Sequence, residues 1–200
     1  MYPGAGCVRI CTTASFQSQH SSKRITILNT HLDHLTDEPR KYGASLLLIR
    51  GKYEAATSKG PVVLTGDFNS APTGHDSGAY EIVTGKTPPM EVNKKFREKY
   101  DPGPLNQLPD FKFLDIRTET PKFGVSGNFS TFTGWSPTVT DEWTRIDFIF
   151  GGNNREWCVC DFPESARERS GASVYSWLTM TRFRRVDRSG SPLRARSARG

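Results

Sequence analysis

Two polar side chains at the end of an apolar segment are the most chemically suggestive feature of this 200-residue sequence. Residues 61–65, Pro-Val-Val-Leu-Thr, are typical of a short buried strand, and Gly66, Asp67, Phe68 and Asn69 follow directly. On an extended backbone, the side chains of Asp67 and Asn69 would point to the same side. A carboxylate beside an amide suits a hydrated hard cation or a phosphate oxygen. The alternative is a turn at the strand end, which Asp and Asn often form.

Two other predicted strands carry polar residues at or near one end. Residues 25–34 are Ile-Thr-Ile-Leu-Asn-Thr-His-Leu-Asp-His, and residues 144–151 are Thr-Arg-Ile-Asp-Phe-Ile-Phe-Gly. Taken alone, a histidine after a strand, such as His31, is more often a surface or turn residue, and His34 is interpreted as a surface residue. Asp147 lies inside an apolar strand, where a buried charge needs a partner, which favours a functional or paired role. Three such strand ends favour a shared site over chance turns.

The elements that would position these residues alternate between strand and helix. Residues 8–16 and 24–31 are predicted to form an antiparallel hairpin, and residues 39–58 a helix that leads into the Asp67 strand. An apolar stripe at steps of three and four residues supports this helix: Tyr42, Leu46, Ile49, Tyr53 and Ala56. The pattern indicates a layered α/β or α+β domain.

Later elements are shorter. The segment 71–109 is rich in Gly, Pro, Thr and Asp and is predicted to be loop, with short helices such as 79–84. Residues 111–116 are interpreted as the opening of a further element. Residues 129–133 and 144–150 are predicted to form a strand pair.

The excess of basic residues does not indicate a basic groove at this site. The formal net charge is +6, and residues 164–200 alone contain nine Arg and three acidic residues, which is also +6. The other 163 residues therefore hold 18 basic and 18 acidic residues and are neutral. We predict a domain over residues 1–163 and a disordered or aberrant Arg/Ser-rich tail over residues 164–200, whose deletion would cost less than roughly 1 kcal/mol.

The sequence lacks the patterns of a transmembrane helix, a signal peptide and a Cys-x-x-Cys zinc site. No 18-residue apolar stretch exists, so no transmembrane helix is expected. The N-terminus lacks the basic and apolar regions of a signal peptide, and the compartment stays unknown. Four cysteines lack the Cys-x-x-Cys spacing of zinc sites and are predicted to be thiols with no role: Cys7, Cys11, Cys158 and Cys160. The alternative is a disulfide between the two ends of the chain.

Three segments resemble, in order and approximate spacing, consecutive motifs of the endonuclease/exonuclease/phosphatase superfamily, which includes deoxyribonuclease I-like enzymes. They are residues 29–34 (Asn-Thr-His-Leu-Asp-His), 64–70 (Leu-Thr-Gly-Asp-Phe-Asn-Ser) and 145–150 (Arg-Ile-Asp-Phe-Ile-Phe). Residues 130–134, Ser-Thr-Phe-Thr-Gly, fit as well. The resemblance extends from about Arg24 to Gly152, and its most specific motif is Gly-Asp-Phe-Asn-Ser.

The resemblance implies a four-layer α/β/β/α sandwich, incomplete here, and hydrolysis of phosphodiesters or phosphomonoesters with Mg²⁺ or Mn²⁺. Asp67 would orient or activate water, Asn69 would hold a phosphate oxygen, and both would lie at the metal. His31 would contact the scissile phosphate or aid the leaving group, and Asp147 would orient a histidine. Expected substrates are nucleic acids, phosphoinositides or phospholipid head groups, with specificity in loops 71–109 and 134–144.

The sequence departs from the family in two places. The family pattern implies a metal-binding Glu before Arg24, yet residues 1–23 contain no acidic residue. It also implies a final Ser-Asp-His, yet the histidines are His20, His31, His34 and His75. We therefore expect an N-terminally truncated domain with impaired catalysis. The alternative is a non-catalytic remnant or binding protein that retains the sandwich scaffold.

Overall fold

The computed structural model describes residues 2–19, 22, 24–121, 125, 127, 129–136, 138–140 and 142–157. The predicted tail over residues 164–200 lies outside the described residues, so the domain boundary after residue 163 stays a prediction. Within the described part of the chain, no helix is long and apolar enough to cross a membrane.

Five strands form one sheet in the order β1-β2-β3-β5-β4. The strands are β1 (Cys11–Gln17), β2 (Arg24–His31), β3 (Val62–Asp67), β4 (Phe113–Asp115) and β5 (Asp147–Gly152). The pair β2–β3 is parallel, and the other three pairs are antiparallel. This arrangement confirms the predicted hairpin, and the parallel pair results from the helical crossover between β2 and β3.

Among the described residues, four helices connect the strands. They are α1 (Asp37–Ser58), α2 (Gly78–Val83), α3 (Lys94–Lys99) and α4 (Ile116–Glu119), with a 3-10 turn at Gly103–Leu105. Helix α1 ends at Ser58 as predicted, because Lys59 adopts a left-handed conformation at φ 52° that cannot continue a helix.

Helices α1 and α2 cover one face of the sheet. Leu28, Leu64 and Phe150 are neighbours across β2, β3 and β5, and they pack into the core with side chains of both helices. The buried face of α1 differs from the predicted stripe, since Tyr42, Leu46, Ile49 and Tyr53 are only partly buried. The buried positions instead include Arg40, Ala44, Leu47, Gly51, Glu54 and Ala55. Two charged residues lie on that face, which an apolar pattern cannot reveal.

The opposite face of the sheet carries apolar side chains that are not fully covered. Phe16 is 55% exposed and Ile149 40% exposed, on β1 and β5 respectively. The fold is therefore a mixed α/β layer with helices on one side.

The predicted pairing of residues 129–133 with 144–150 is wrong for most of its length. Only an isolated bridge joins Phe132 to Thr144, and β5 begins at Asp147. Strand β5 pairs with β3 and β4 instead. Its apolar residues Phe148 and Phe150 are thereby buried in the core, which a two-stranded ribbon with residues 129–133 would not achieve.

Candidate active site

Three strand ends bring the predicted site residues to one edge of the sheet. His31 ends β2, Asp67 ends β3, and the two are paired across the parallel ladder. Asp147 opens β5 and is the antiparallel partner of Asp67. Residues directly opposite each other project from the same face. His31, Asp67 and Asp147 thus lie side by side on the face that α1 and α2 leave open.

Asn69 joins the site through a turn and not through strand alternation. The strand ends at Asp67, and Asn69 adopts a left-handed conformation at φ 46°. Its backbone N–H donates to Asp67 Oδ1 at 2.8 Å, as in an Asx turn. The expected same-side placement on an extended backbone is therefore wrong in its geometry, although the two side chains do meet around His31.

The His31 ring nitrogen lies between a carboxylate and an amide. His31 Nε2 is 3.4 Å from Asp67 Oδ2 and 3.2 Å from Asn69 Nδ2. Asn69 Nδ2 also donates to the Leu32 carbonyl at 3.1 Å, which fixes the orientation of the amide. The His31 side chain is 56% exposed and that of Asp67 29%. An external molecule can therefore reach these polar atoms.

Electrostatics single out Asp67. Burial raises the pKa of its carboxyl group, and the neighbouring Asp147 carboxylate raises it further. The hydrogen bond from Asn69 and the charges of His31 and Arg9 act in the opposite direction, and the net result is a raised pKa. The site thus holds two like charges side by side, which disfavours full ionisation of Asp67.

Asp147 is exposed, so the expectation of a buried charge inside an apolar strand is wrong. It opens β5 and faces the uncovered side of the sheet, whereas its neighbour Phe148 points into the core. Because successive side chains of a strand point to opposite faces, Asp147 is exposed although Phe148 beside it is buried.

The Ser-Thr-Phe-Thr-Gly segment fixes the start of β5. Thr131 Oγ1 accepts hydrogen bonds from the backbone N–H groups of Ile146 at 3.0 Å and Asp147 at 3.1 Å. The resemblance pointed to this segment but not to this role. Thr131 therefore positions the Asp147 backbone beside Asp67.

A glycine allows β2 and β3 to meet at this edge. Gly66 has φ 142°, and a Cβ there would lie 1.9 Å from the Thr30 carbonyl oxygen. No larger residue fits at that position. The glycine of the Gly-Asp-Phe-Asn motif thus sets the approach of the two strands that carry His31 and Asp67.

Sequence reasoning missed a buried ion cluster next to the site. The Arg145 guanidinium binds both oxygens of the Asp115 carboxylate, and the Tyr80 hydroxyl donates to Asp115 Oδ2 at 3.1 Å. Arg145 lies at the start of a predicted strand, where nothing in the local pattern marks it as buried. Its partner Asp115 is 30 residues away in the sequence, so the local pattern does not indicate the ion pair. The cluster anchors the segment that precedes β5.

Comparisons with known proteins bear on this geometry. No protein-family model and no curated protein matches the chain. A solved endonuclease/exonuclease/phosphatase from Bacteroides vulgatus is 29% identical, with a TM-score of 0.56, and the match covers 78% of this chain and 48% of that one. A family protein from Bacteroides thetaiotaomicron is 22% identical over 74% of this chain and 43% of that one, with a TM-score of 0.48.

A mannosyl-6-phosphatase from Bacteroides thetaiotaomicron is also similar, at 21% identity over 72% of this chain and 43% of that one, with a TM-score of 0.47. The three motifs, their convergence on one sheet edge and the match to the Bacteroides vulgatus structure agree. In its sequence motifs and in its fold, the chain resembles proteins of the endonuclease/exonuclease/phosphatase superfamily. It spans about half the length of the solved structures it matches.

Proposed function

We propose that the sheet edge formed by His31, Asp67, Asn69 and Asp147 is a phosphate-ester hydrolase site that uses Mg²⁺ or Mn²⁺. The observation that carries the proposal is the pair Asp67–Asp147, two carboxylates held in register beside His31. Like charges this close are unfavourable without a counter-charge. A site built this way is prepared for a cation or for a shared proton.

The donor set fits a hard divalent cation. Mg²⁺ is usually bound by one or two carboxylates together with waters and substrate phosphate oxygens. Asp67 and Asp147 offer the carboxylates, and Asn69 offers its amide oxygen, because its Nδ2 group is directed to His31 and to the Leu32 carbonyl. A bound cation would neutralise charge on the phosphoryl oxygens.

The remaining steps, which are proton transfer and contact with the phosphate, are assigned to individual side chains. Asp67 takes a proton from the attacking water as the new P–O bond forms. His31 contacts the phosphate and, when protonated, gives a proton to the leaving oxygen as the ester P–O bond breaks. Asn69 offers its amide oxygen to the cation, and it would hold a phosphoryl oxygen, as the resemblance implies, only if Nδ2 turned from His31 towards the phosphate. Asp147 faces Asp67 in this chain and is proposed as a cation ligand, although the resemblance implied a histidine partner.

Catalysis by the 200-residue chain alone is proposed to be weak. Residues 1–23 contain no acidic side chain, and no histidine follows His75. The Glu and the Ser-Asp-His implied by the family pattern therefore have no counterpart in this sequence. Loss of one electrostatic or acid–base group typically costs ~10²–10⁴-fold in rate.

The proposed scaffold is the four-layer α/β/β/α sandwich. Its support in this chain is the uncovered sheet face with Phe16 and Ile149, which a second sheet would bury. Nucleic acids, phosphoinositides and phospholipid head groups all remain proposed substrate classes, since each presents a phosphate ester to the same residues.

A Mn²⁺ titration followed by electron paramagnetic resonance tests the site without relying on turnover. We expect binding by the wild type and at least about tenfold weaker binding by Asp67→Asn and Asp147→Asn. Asp110→Asn is the matched control, because Asp110 is an exposed carboxylate away from this edge. Equal binding by the wild type and Asp67→Asn would remove the metal assignment.

Hydrolysis of bis(4-nitrophenyl) phosphate separates the enzyme from the alternative of a non-catalytic binding protein. We expect slow, Mn²⁺-dependent turnover that Asp67→Asn abolishes and Asp110→Asn leaves unchanged. Mn²⁺ binding with no turnover would favour the binding protein. Fast turnover that depends on Asp67 would instead contradict the proposed impairment.

A further inference from the structure

A second group of metal-ligating side chains lies outside the proposed hydrolase site. Cys7 precedes β1, and Asp33 and His34 follow β2; each offers one ligand atom, and these atoms all lie within 4.8 Å of one another. Thiolate, carboxylate and imidazole are the ligands that proteins use for Zn²⁺. We propose that Cys7, Asp33 and His34 form a Zn²⁺ site distinct from the Asp67–Asp147 pair.

Backbone hydrogen bonds hold this group together. Asp33 Oδ2 accepts from the backbone N–H groups of Gly6 at 2.8 Å and Cys7 at 3.4 Å, and Asp33 Oδ1 accepts from Leu35 at 2.9 Å. These bonds tie the N-terminal segment to the turn after β2, across 26 or 27 residues of sequence. The proximity of Cys7 to Asp33 is therefore set by the fold.

A glycine at residue 6 favours this close approach. A Cβ at Gly6 would lie 2.8 Å from Leu35 Cδ1 and 3.3 Å from His34 Cε1, so a larger residue would require these side chains to move. The glycine lets the N-terminal segment lie beside Leu35 and His34 without that adjustment.

The Asp33 carboxylate has room for one more partner. A carboxylate has about four acceptor positions, and the backbone uses two on Oδ2 and one on Oδ1. One position on Oδ1 is left for a metal.

The geometry needs only small adjustments. With bonds of about 2.0 to 2.3 Å, the ligand atoms of a tetrahedral Zn²⁺ lie about 3.3 to 3.8 Å apart. Cys7 and His34 are exposed, so their side chains can rotate to close the difference. Three protein ligands with a fourth, solvent-facing position are the pattern of open zinc sites.

Zinc binding would change the position of a neighbouring cation. Arg9 Nη2 is 3.1 Å from His34 Nδ1. In a metal-bound neutral imidazole, Nδ1 either coordinates the metal or carries the proton, so it cannot accept a hydrogen bond from Arg9. Because the charge of Arg9 also acts on Asp67, occupation of the zinc site would alter the electrostatics of the hydrolase site.

Substitution with Co²⁺ provides the test, because a cobalt–thiolate bond gives a characteristic absorption band. In the reduced full-length chain we expect this band in the wild type and in Cys11→Ser, and its loss in Cys7→Ser. Cys11 is the matched control, since it is likewise exposed but lies outside the cluster. Calorimetric titration with Zn²⁺ should show at least about tenfold weaker binding for Cys7→Ser and His34→Ala, and no change for His75→Ala.

Several outcomes would overturn the proposal. A cobalt band that persists in Cys7→Ser would assign the metal to another thiol. Equal Zn²⁺ affinity in the wild type and His34→Ala would remove the histidine from the site. Circular dichroism of each variant shows that a loss of binding is not a loss of fold. Asp67→Asn should retain Zn²⁺ binding. The zinc site is therefore tested independently of the proposed hydrolase site.

Discussion

Two clusters of charged side chains lie near the start of β5. One is a buried pair of opposite charges, and the other is a pair of like charges at the open edge of the sheet. Asp115 and Arg145 are buried, with side chains 1% and 6% exposed, and the carboxylate also accepts from the Tyr80 hydroxyl and the Arg117 backbone N–H. Asp67 and Asp147 lie at the open edge and face each other as two carboxylates.

This difference indicates that the two clusters have different roles, one in stabilising the fold and one in binding. A buried carboxylate must be paired, and the Arg145 guanidinium also lies over the Phe148 ring, 4.6 Å from its centroid. The Asp67–Asp147 pair keeps an unfavourable interaction that folding alone would not require. We infer that the first cluster holds the fold and that the second is arranged for a ligand.

Arg145→Met should give the largest change. Removal of one partner of a buried ion pair leaves an uncompensated charge and typically costs about 3–5 kcal/mol in the free energy of unfolding. Urea denaturation at pH 7 measures this loss. Asp147→Asn at the exposed edge, by contrast, should change stability by no more than about 0.5 kcal/mol.

The double variant Arg145→Met/Asp115→Leu distinguishes a lost pair from a stranded charge. Apolar replacement of both partners is often neutral, so this variant should recover part of the stability lost in Arg145→Met. The recovery is incomplete because the Tyr80 hydroxyl and the Arg117 backbone N–H lose their acceptor. If Arg145→Met were as stable as the wild type, the comparison between the two clusters would fail.

Tyr80→Phe should have an intermediate effect. The Tyr80 hydroxyl donates to an ionised group, and such hydrogen bonds contribute about 1.5–3 kcal/mol. Burial, together with the adjacent Asp115 carboxylate, raises the pKa of Tyr80 to about 12. The protonated phenol is therefore favoured in the folded state.

The pH dependence of this effect has a definite sign. Because the folded pKa is above the unfolded value of 10.0, the contribution of Tyr80 is complete below pH 10.0 and is lost as the pH rises through about 12. The stability difference between the wild type and Tyr80→Phe should shrink over that interval. A difference that stays constant from pH 9 to pH 12 would contradict the assigned hydrogen bond, by the same linkage.

Asp67→Asn should have the smallest effect on stability, and in the opposite direction. Like charges directly opposite in a sheet destabilise by about 0.2–1 kcal/mol, so removing one should stabilise the fold by that amount at pH 7. Asparagine keeps an oxygen for the Asn69 backbone N–H, which preserves the turn. Urea denaturation of both proteins at low salt measures the gain.

This gain should disappear in acid. The folded pKa of Asp67 is above the ordinary value of 3.8, so ionisation is less favourable in the folded state than in the unfolded one. The penalty is present at pH values above the folded pKa and vanishes as both states become protonated below pH 3.8. A destabilised Asp67→Asn at pH 7 would indicate that Asp67 already has a compensating partner.

Local pattern predicted the elements that carry the site. Strand β2 begins at Arg24 and ends at His31 as predicted, helix α1 ends at Ser58 as predicted, and β3 ends in the Gly-Asp-Phe-Asn motif. These elements depend on short-range periodicity and on Gly66, so the sequence contains their signal. The motif order was also enough to indicate that His31, Asp67 and Asp147 share one edge.

The motifs, the strand–helix–strand order and the residue types at the edge can be identified from the amino-acid sequence alone. Three features required the folded structure: Asp147 is exposed, Arg145 pairs with Asp115, and Cys7 lies beside Asp33 and His34. The folded structure also placed Arg40 and Glu54 on the buried face of α1. Each of these depends on partners far apart in the chain, and no local periodicity records which distant charge will compensate a buried one.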